Sequence, residues 1–403
     1  MPVFRPLVLV LFGVLSSVSV CHAQSPTKAR TQYFPDTTDN IHLEMVFNYN
    51  VTDINTESGV VDMVWASDYP NEPADVYNTV YIPYSVDNFT HTVAWYVRHH
   101  PDWLEFRCDR KTLAFEFGST SLAPIDFANP KVRAYQWANW VDAPLSQGYP
   151  GIAVDTMSAS SNWGRCGHYD RSGNWVQQYS GKANDPVYQR DELEWEAATY
   201  QHVHDYSDTA TMQVNVSYEF GFPPDVNLKL MTTSDLLFDE RGFTNYGNPP
   251  DVPPPTQWEE IMGVLQYVES TGVCYMTNGE ESGLTADIPQ SARLWVIANY
   301  LLVKNRCTYM YITGFTAGGG QDYGSLITFP EYSIQIGHPT GGMKKTQGVW
   351  ARMYSGGLAV VNPYYGTVIV TLPPGSWVDV NGNPVGPTVT MQGQTANVLL
   401  KAQ

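Results

Sequence analysis

A chain of 403 residues can bury a large core and has room for one large domain beside a smaller one. Its formal net charge of -18 argues against nucleic acid or an anionic membrane surface as partner. Only 15% of residues are charged while 13% are aromatic, including 12 Trp and 26 Tyr, and such rings either fill a core or stack on the C–H faces of sugars.

The first 23 residues read as a secretory signal. Arg5 supplies the charge, Pro6 to Val20 the apolar segment, and Cys21-His22-Ala23 the cleavage site. The segment is too short to span a bilayer easily, and no membrane insertion is expected. A lipoprotein site at Cys21 would have to follow the bulky Val20. Cleavage leaves Cys108, Cys166, Cys274 and Cys307, which suggests two disulfides among three possible connectivities. The pairs Cys108–Cys166 and Cys274–Cys307 are favoured because each would join neighbouring units. Zinc is the rival, but no two cysteines have C-x-x-C spacing.

Residues 24–57 read as a loose leader with an accessory strand from His42 to Tyr49, outside or beneath the main domain. Gly59 to Ala66, which contains Asp62, and Asn78 to Tyr84 read as strands, and His91 to His100 as a helix. Asn129 is a plausible N-cap, Pro130 suits a first turn, and Val132, Tyr135, Ala138 and Val141 recur at helical spacing. That helix leads into Gly151-Ile152-Ala153-Val154-Asp155, an apolar run too short for a helix and typical of a strand buried on both faces. A long loop follows, from Ser158 to about Pro186, then a helix from Glu192 to Tyr206 and a strand from Thr211 to Val216. Ser234 to Phe243 is a second short apolar run closing on acids and a glycine. Thr256-Gln257-Trp258-Glu259 has the spacing of a capping box. Gly272 to Met276 and Cys307 to Ile312 supply further strands around an apolar helix, Ile288 to Val303, with Asn278 just past the first of them. Strands alternating with helices predict an α/β fold with a parallel sheet. From Val349 the pattern changes to short alternating segments separated by turns such as Asn381-Gly382, which predicts a small antiparallel β-sandwich over 346–403.

An acid ending a buried strand stands where (β/α)8 barrels place catalytic groups, so a TIM barrel over 58–345 is the expected architecture. Asp155 and Glu240 lie 85 residues apart. Two barrel units of about 31 residues plus the long loop account for that gap. Paired carboxylates are what glycoside cleavage requires, one held protonated and the other ionised. The competing reading has one of them merely paired with Arg165 or Arg241. Asp239 competes with Glu240, because neighbours on a strand face opposite ways, and Glu219 is a third candidate. Asn215 could bind a sugar hydroxyl, although Asn215-Val216-Ser217 is also a glycosylation sequon, as at Asn50 and Asn88. Trp163, Trp175 and Tyr179 are candidate stacking platforms, and Asp62 and Asn278 complete the candidate substrate-binding set. His202 and His204 would face apart on a helix, and no metal is expected. Thr316 to Gly320 lacks the Lys-Ser/Thr of a phosphate loop, and no G-x-S-x-G elbow is present.

Taken together, His100-Pro101-Asp102-Trp103, Ile125 to Val132, Gly151 to Asp155, Phe238 to Asn245 and Tyr354 to Pro363 resemble a glycoside hydrolase-like group over roughly residues 58 to 402. The resemblance implies a secreted (β/α)8 barrel with a C-terminal sandwich, acting without cofactor on a polysaccharide or glycoconjugate. Asp155 would be similar to a strand-four nucleophile and Glu240 would be the acid/base. Thr156 departs from the asparagine commoner after the key Asp, and the loop holding Cys166 is an insertion. The alternative is a non-catalytic carbohydrate-binding or surface protein on the same scaffold.

Overall fold

A computed structural model describes residues 34–87, 89–245, 252–316 and 320–402. The expected signal, the first part of the leader, Asn88 and residues 317–319 of the glycine-rich segment lie outside the described residues.

Apolar runs too short for helices form the central strands: β1 (Glu44–Val46), β2 (Met63–Trp65), β3 (Tyr77–Asn78), β4 (Val80–Pro83), β5 (Gly151–Asp155), β6 (Thr211–Asn215), β7 (Leu236–Asp239), β8 (Cys274–Ser282) and β9 (Thr308–Phe315). Six of them make a parallel sheet in the order β9-β8-β7-β6-β5-β4, and β1-β2-β3 make a second parallel sheet. The two sheets adjoin at both ends. Thr79, between β3 and β4, donates its N–H to Val64 and accepts from the N–H of Ser67. At the other end Leu43 forms a parallel bridge with Met310 of β9.

The accessory strand expected outside the main domain therefore lies within the parallel set. Its polarity concealed it, because Glu44 sits fully buried between Leu43 and Met45. Burial on both faces explains why β5 does not alternate: Ile152, Ala153 and Val154 are all fully buried. The helices Pro186–Tyr206, Pro255–Ser270 and Gln290–Val303 carry the outer part of the core. Trp258 in the second is anchored by an N–H bond to Asn299 in the third (2.8 Å). Asn129 caps its helix through the Lys131 N–H, as the sequence predicts. The capping box does not form. Its helix starts two residues earlier, at Pro255, whose fixed φ and missing N–H suit a first turn.

The long loop after β5 is largely ordered. Arg165–Tyr169 and Trp175–Gln177 form an antiparallel hairpin that pairs with Phe106–Arg107, and the Cys108–Cys166 disulfide pins this small sheet. The Cys274–Cys307 disulfide joins the starts of β8 and β9. Both disulfides are those favoured from sequence. After residue 343 the chain forms two antiparallel sheets, one of six strands and one of two. Val349, Leu358, Val370 and Met391 from both sheets meet in a separate apolar cluster. Tyr354 and Arg352 attach this region to the helix Gln290–Val303 through its last carbonyls. No described helix is long and apolar enough to cross a membrane.

Candidate functional site

The C-terminal ends of β4, β5, β6, β7 and β9 open onto a cavity of about 880 Å³. Asp155 is the last residue of β5, Asn215 the last of β6, and Glu240 stands one residue past β7. Adjacent parallel strands in register bring these three ends side by side. Asn215 lies between the acids and donates from its Nδ2 to Asp155 Oδ1 (2.8 Å) and to Glu240 Oε2 (3.1 Å). Those two oxygens therefore stand at most about 5.9 Å apart, the two bond lengths laid end to end.

Local geometry fixes each side chain. Thr156 has φ +59°, a conformation that costs a β-branched residue roughly 1–3 kcal/mol. It turns the Thr156 N–H back onto Asp155 Oδ1 (2.8 Å), while Tyr81 donates to Oδ2 (3.1 Å). Beyond Glu240 the chain turns at Gly242 (φ +52°), where a Cβ would collide with the Asn278 carbonyl. Glu240 Oε1 accepts from the Tyr323 hydroxyl (2.7 Å), and that hydroxyl also lies 2.7 Å from Glu280 Oε1.

Withdrawal from water pushes Asp155 up from the usual carboxylate range, against the lowering effect of its bonds from Asn215, Tyr81 and Thr156. Glu240 is raised to about 7, first by burial and then by the charge of Asp155. Neither acid is locked to an arginine. Arg165 is buried with Glu105 and Glu116 (2.5 and 2.8 Å), and Arg241 donates to the Tyr218 carbonyl and lies over the Phe220 ring. Asp239 is buried outside the cavity lining and accepts from Ser217 (2.7 Å), which lines it. Glu219 does line the cavity and accepts from Ser158 (2.7 Å).

The remaining candidates divide. Trp163 lines the cavity and meets the ring of Phe117, which is 65% exposed, at 4.8 Å. Trp175 sits on the hairpin under Arg110, outside the cavity lining. Tyr179 is buried against Tyr188 and cannot serve as a platform. Asp62 precedes β2, at the opposite end of the strands from Asp155, where it accepts from the Leu43 N–H and faces His42. The predicted strand had carried it too far along. Asn278 is fully buried beneath the cavity and donates to Thr313 (2.8 Å) and to the Tyr323 hydroxyl (3.2 Å). His202 and His204 face Asp142 and Asp235 separately. Sequence inspection missed Tyr81, Tyr323 and Glu280. Tyr323 stands on a loop with no periodic signal, and Glu280 comes after the predicted end of its strand, at Met276, because β8 is longer than expected.

No protein-family model matches the chain, and no curated protein does. Solved structures do. The Amy13B protein of Eubacterium rectale superposes with a TM-score of 0.50 at 12% identity, covering 94% of this chain and 99% of that one. This chain shares the fold of that protein. An α-amylase from Lactobacillus plantarum matches with a TM-score of 0.49 at 12% identity, over 93% of this chain and 100% of that one. The glycoside hydrolase domain of PelA from Pseudomonas aeruginosa matches with a TM-score of 0.43 at 12% identity, over 67% and 94%.

Proposed function

We propose that the chain is an exported retaining glycosidase acting on a polysaccharide or glycoconjugate, with Asp155 as nucleophile and Glu240 as acid/base. One observation carries the proposal: a single amide nitrogen holds two carboxyls that no cation among the described residues neutralises, at the mouth of parallel strands. A separation below about 6 Å suits direct attack on a sugar, whereas inverting enzymes leave roughly 6.5–9.5 Å for a water. Asp155, with three donors, is best able to hold negative charge and attack the anomeric carbon. Glu240, raised to about 7, holds a proton near neutral pH and gives it to the leaving oxygen. In the second step Glu240 takes a proton from water, which displaces Asp155. The two carboxyls suffice for this chemistry without a cofactor.

The scaffold is part of the same proposal. The links at Thr79 and Leu43 support closing β1 to β9 into a (β/α)8 barrel, with β3 and β4 as one interrupted strand. The barrel then begins near Glu44 instead of residue 58. The two C-terminal sheets around their shared cluster support a sandwich over 346–403. Two disulfides, together with the N-terminal pattern, support export.

The test is release of new reducing ends from a panel of neutral, acidic and amino polysaccharides. Hydrolysis by the native protein, abolished in Asp155→Asn and Glu240→Gln variants with unchanged circular dichroism, is expected. Full activity in either variant overturns the assignment of that residue. Sugar binding without hydrolysis by the native protein would assign a carbohydrate-binding role instead.

A further inference from the structure

Tyr323 poses a question of proton count. Its hydroxyl lies 2.7 Å from Glu240 Oε1 and 2.7 Å from Glu280 Oε1, and it accepts from Asn278 Nδ2 at 3.2 Å. A phenol has one proton to donate. It can satisfy one carboxylate only, so the other carboxyl must itself be an acid that donates back to the phenol oxygen. Two ionised carboxylates on one phenol would leave an unpaired buried charge. The second oxygen of Glu280 is buried with no partner, and its backbone N–H is taken by Thr244. Beyond the shared Tyr323, Glu240 has a firm donor in Asn215 on its other oxygen, while the Gln321 amide, 3.5 Å from Glu240 Oε1, also acts on Glu280.

We infer that Glu280 and Glu240 share one proton through the Tyr323 hydroxyl, and that Glu280 is the positioning residue that keeps Glu240 supplied as the acid. The transfer is balanced. The Glu280 O–H bond breaks as a new O–H forms on Tyr323, while the original Tyr323 O–H breaks as one forms on Glu240. Charge moves from Glu240 to Glu280, and Tyr323 then donates to the Glu280 carboxylate. The groups that face this pair are Asp155 and Asp239, the phenol, and the amides of Asn215 and Gln321. Arg241 acts on Asp239 and Glu219. Burial and the charge of Glu240 hold the Glu280 carboxyl up at about 8, in keeping with a resident proton.

The inference rests on Glu240 as acid for its purpose, but its test does not need a substrate. The protein is labelled with carbon-13 at the glutamate carboxyls and titrated, the two signals being assigned by loss in Glu240→Gln and Glu280→Gln. In the native protein both signals should move through the same two transitions, as coupled sites do. In Glu280→Gln, whose amide can still donate to Tyr323, Glu240 should lose the transition it shares with Glu280 and titrate at lower pH, with its coupling to Asp155 retained. In Tyr323→Phe the two signals should no longer share a transition. Independent single steps in the native protein, or an unchanged Glu240 titration in Glu280→Gln, overturn the proposal. Once a substrate is found, Glu280→Gln should lower kcat by about tenfold with KM little changed, less than the 10²–10⁴ expected for losing the acid itself. Absence of hydrolysis with a shared titration would fault the glycosidase proposal alone, and hydrolysis with independent titrations would fault the relay alone.

Discussion

Two clusters of three ionisable groups lie close together and behave oppositely. In one, Glu105 and Glu116 clasp the buried Arg165, which also donates to the carbonyls of Ser85 and Ile125. In the other, Asp155, Glu240 and Glu280 are held by amides and a phenol and meet no cation among the described residues. Glu116 touches the cavity yet belongs to the first cluster, since its charge is matched by Arg165. The planar guanidinium opposes the burial that still holds the Glu105 carboxyl up at about 8, and its fork of donors ties the surrounding segments together. Amide and phenol donors leave protons free to move, which is what acid–base chemistry needs. Burial alone does not make a site. The kind of donor does.

The contrast can be broken at several points. Glu240→Gln should lower turnover by about 10²–10⁴ while leaving thermal unfolding within a few degrees of native. On the proposed mechanism Glu240 must be protonated and Asp155 ionised, so kcat/KM should follow a bell, falling as pH rises through about 7 and falling again at acid pH as Asp155 takes up a proton. That alkaline limb should vanish in the variant, and its persistence would assign the proton to another group. Arg165→Met strands two buried carboxylates and should cost about 3–5 kcal/mol in denaturant unfolding. A loss under 1 kcal/mol would mean that the clasp is not structural. Asn215→Ala removes the amide between Asp155 and Glu240 and should lower kcat by on the order of a hundredfold. It should also raise the Glu240 pKa further, because a donor to its charged form is lost.

A smaller effect concerns stability. Glu192 and Glu280 are each raised by burial to about 8, against about 4.5 when unfolded. The folded state then holds more protons than the unfolded one between these values, so stability is fully present below about 4.5 and is lost as pH rises towards 8. The melting temperature should therefore fall between pH 5 and 8, and a rise over that range would contradict these assignments. Smallest of all, Trp163→Ala should raise KM a few-fold with kcat little changed, as expected for loss of one stacking surface at the rim. Trp175→Ala should leave both constants alone.

Much of the outline was legible from local pattern. Apolar runs ending in Asp155 and near Glu240, helix signals such as Asn129-Pro130, and the change of period near Val349 are local features, written where a linear reading can find them. The cysteine pairs were legible too, because the strands they join are neighbours. Strand alternation allowed only one of Asp239 and Glu240 to face the cavity from a regular strand, without saying which.

Only the folded chain decided the rest, because contacts between strand ends have no trace in spacing. Glu44 looked too polar for a central strand, and Tyr179 looked like a platform until Tyr188 covered it. Asp62 was placed by where β2 begins, a boundary that propensity locates poorly. Asn215 gained its role by lying on the strand between two others, which turned a possible glycan acceptor into the bridge between two acids. Tyr323 and Glu280 entered for the same reason. Their chemistry comes from shared protons across elements 43 residues apart, and only packing brings such groups within hydrogen-bond reach.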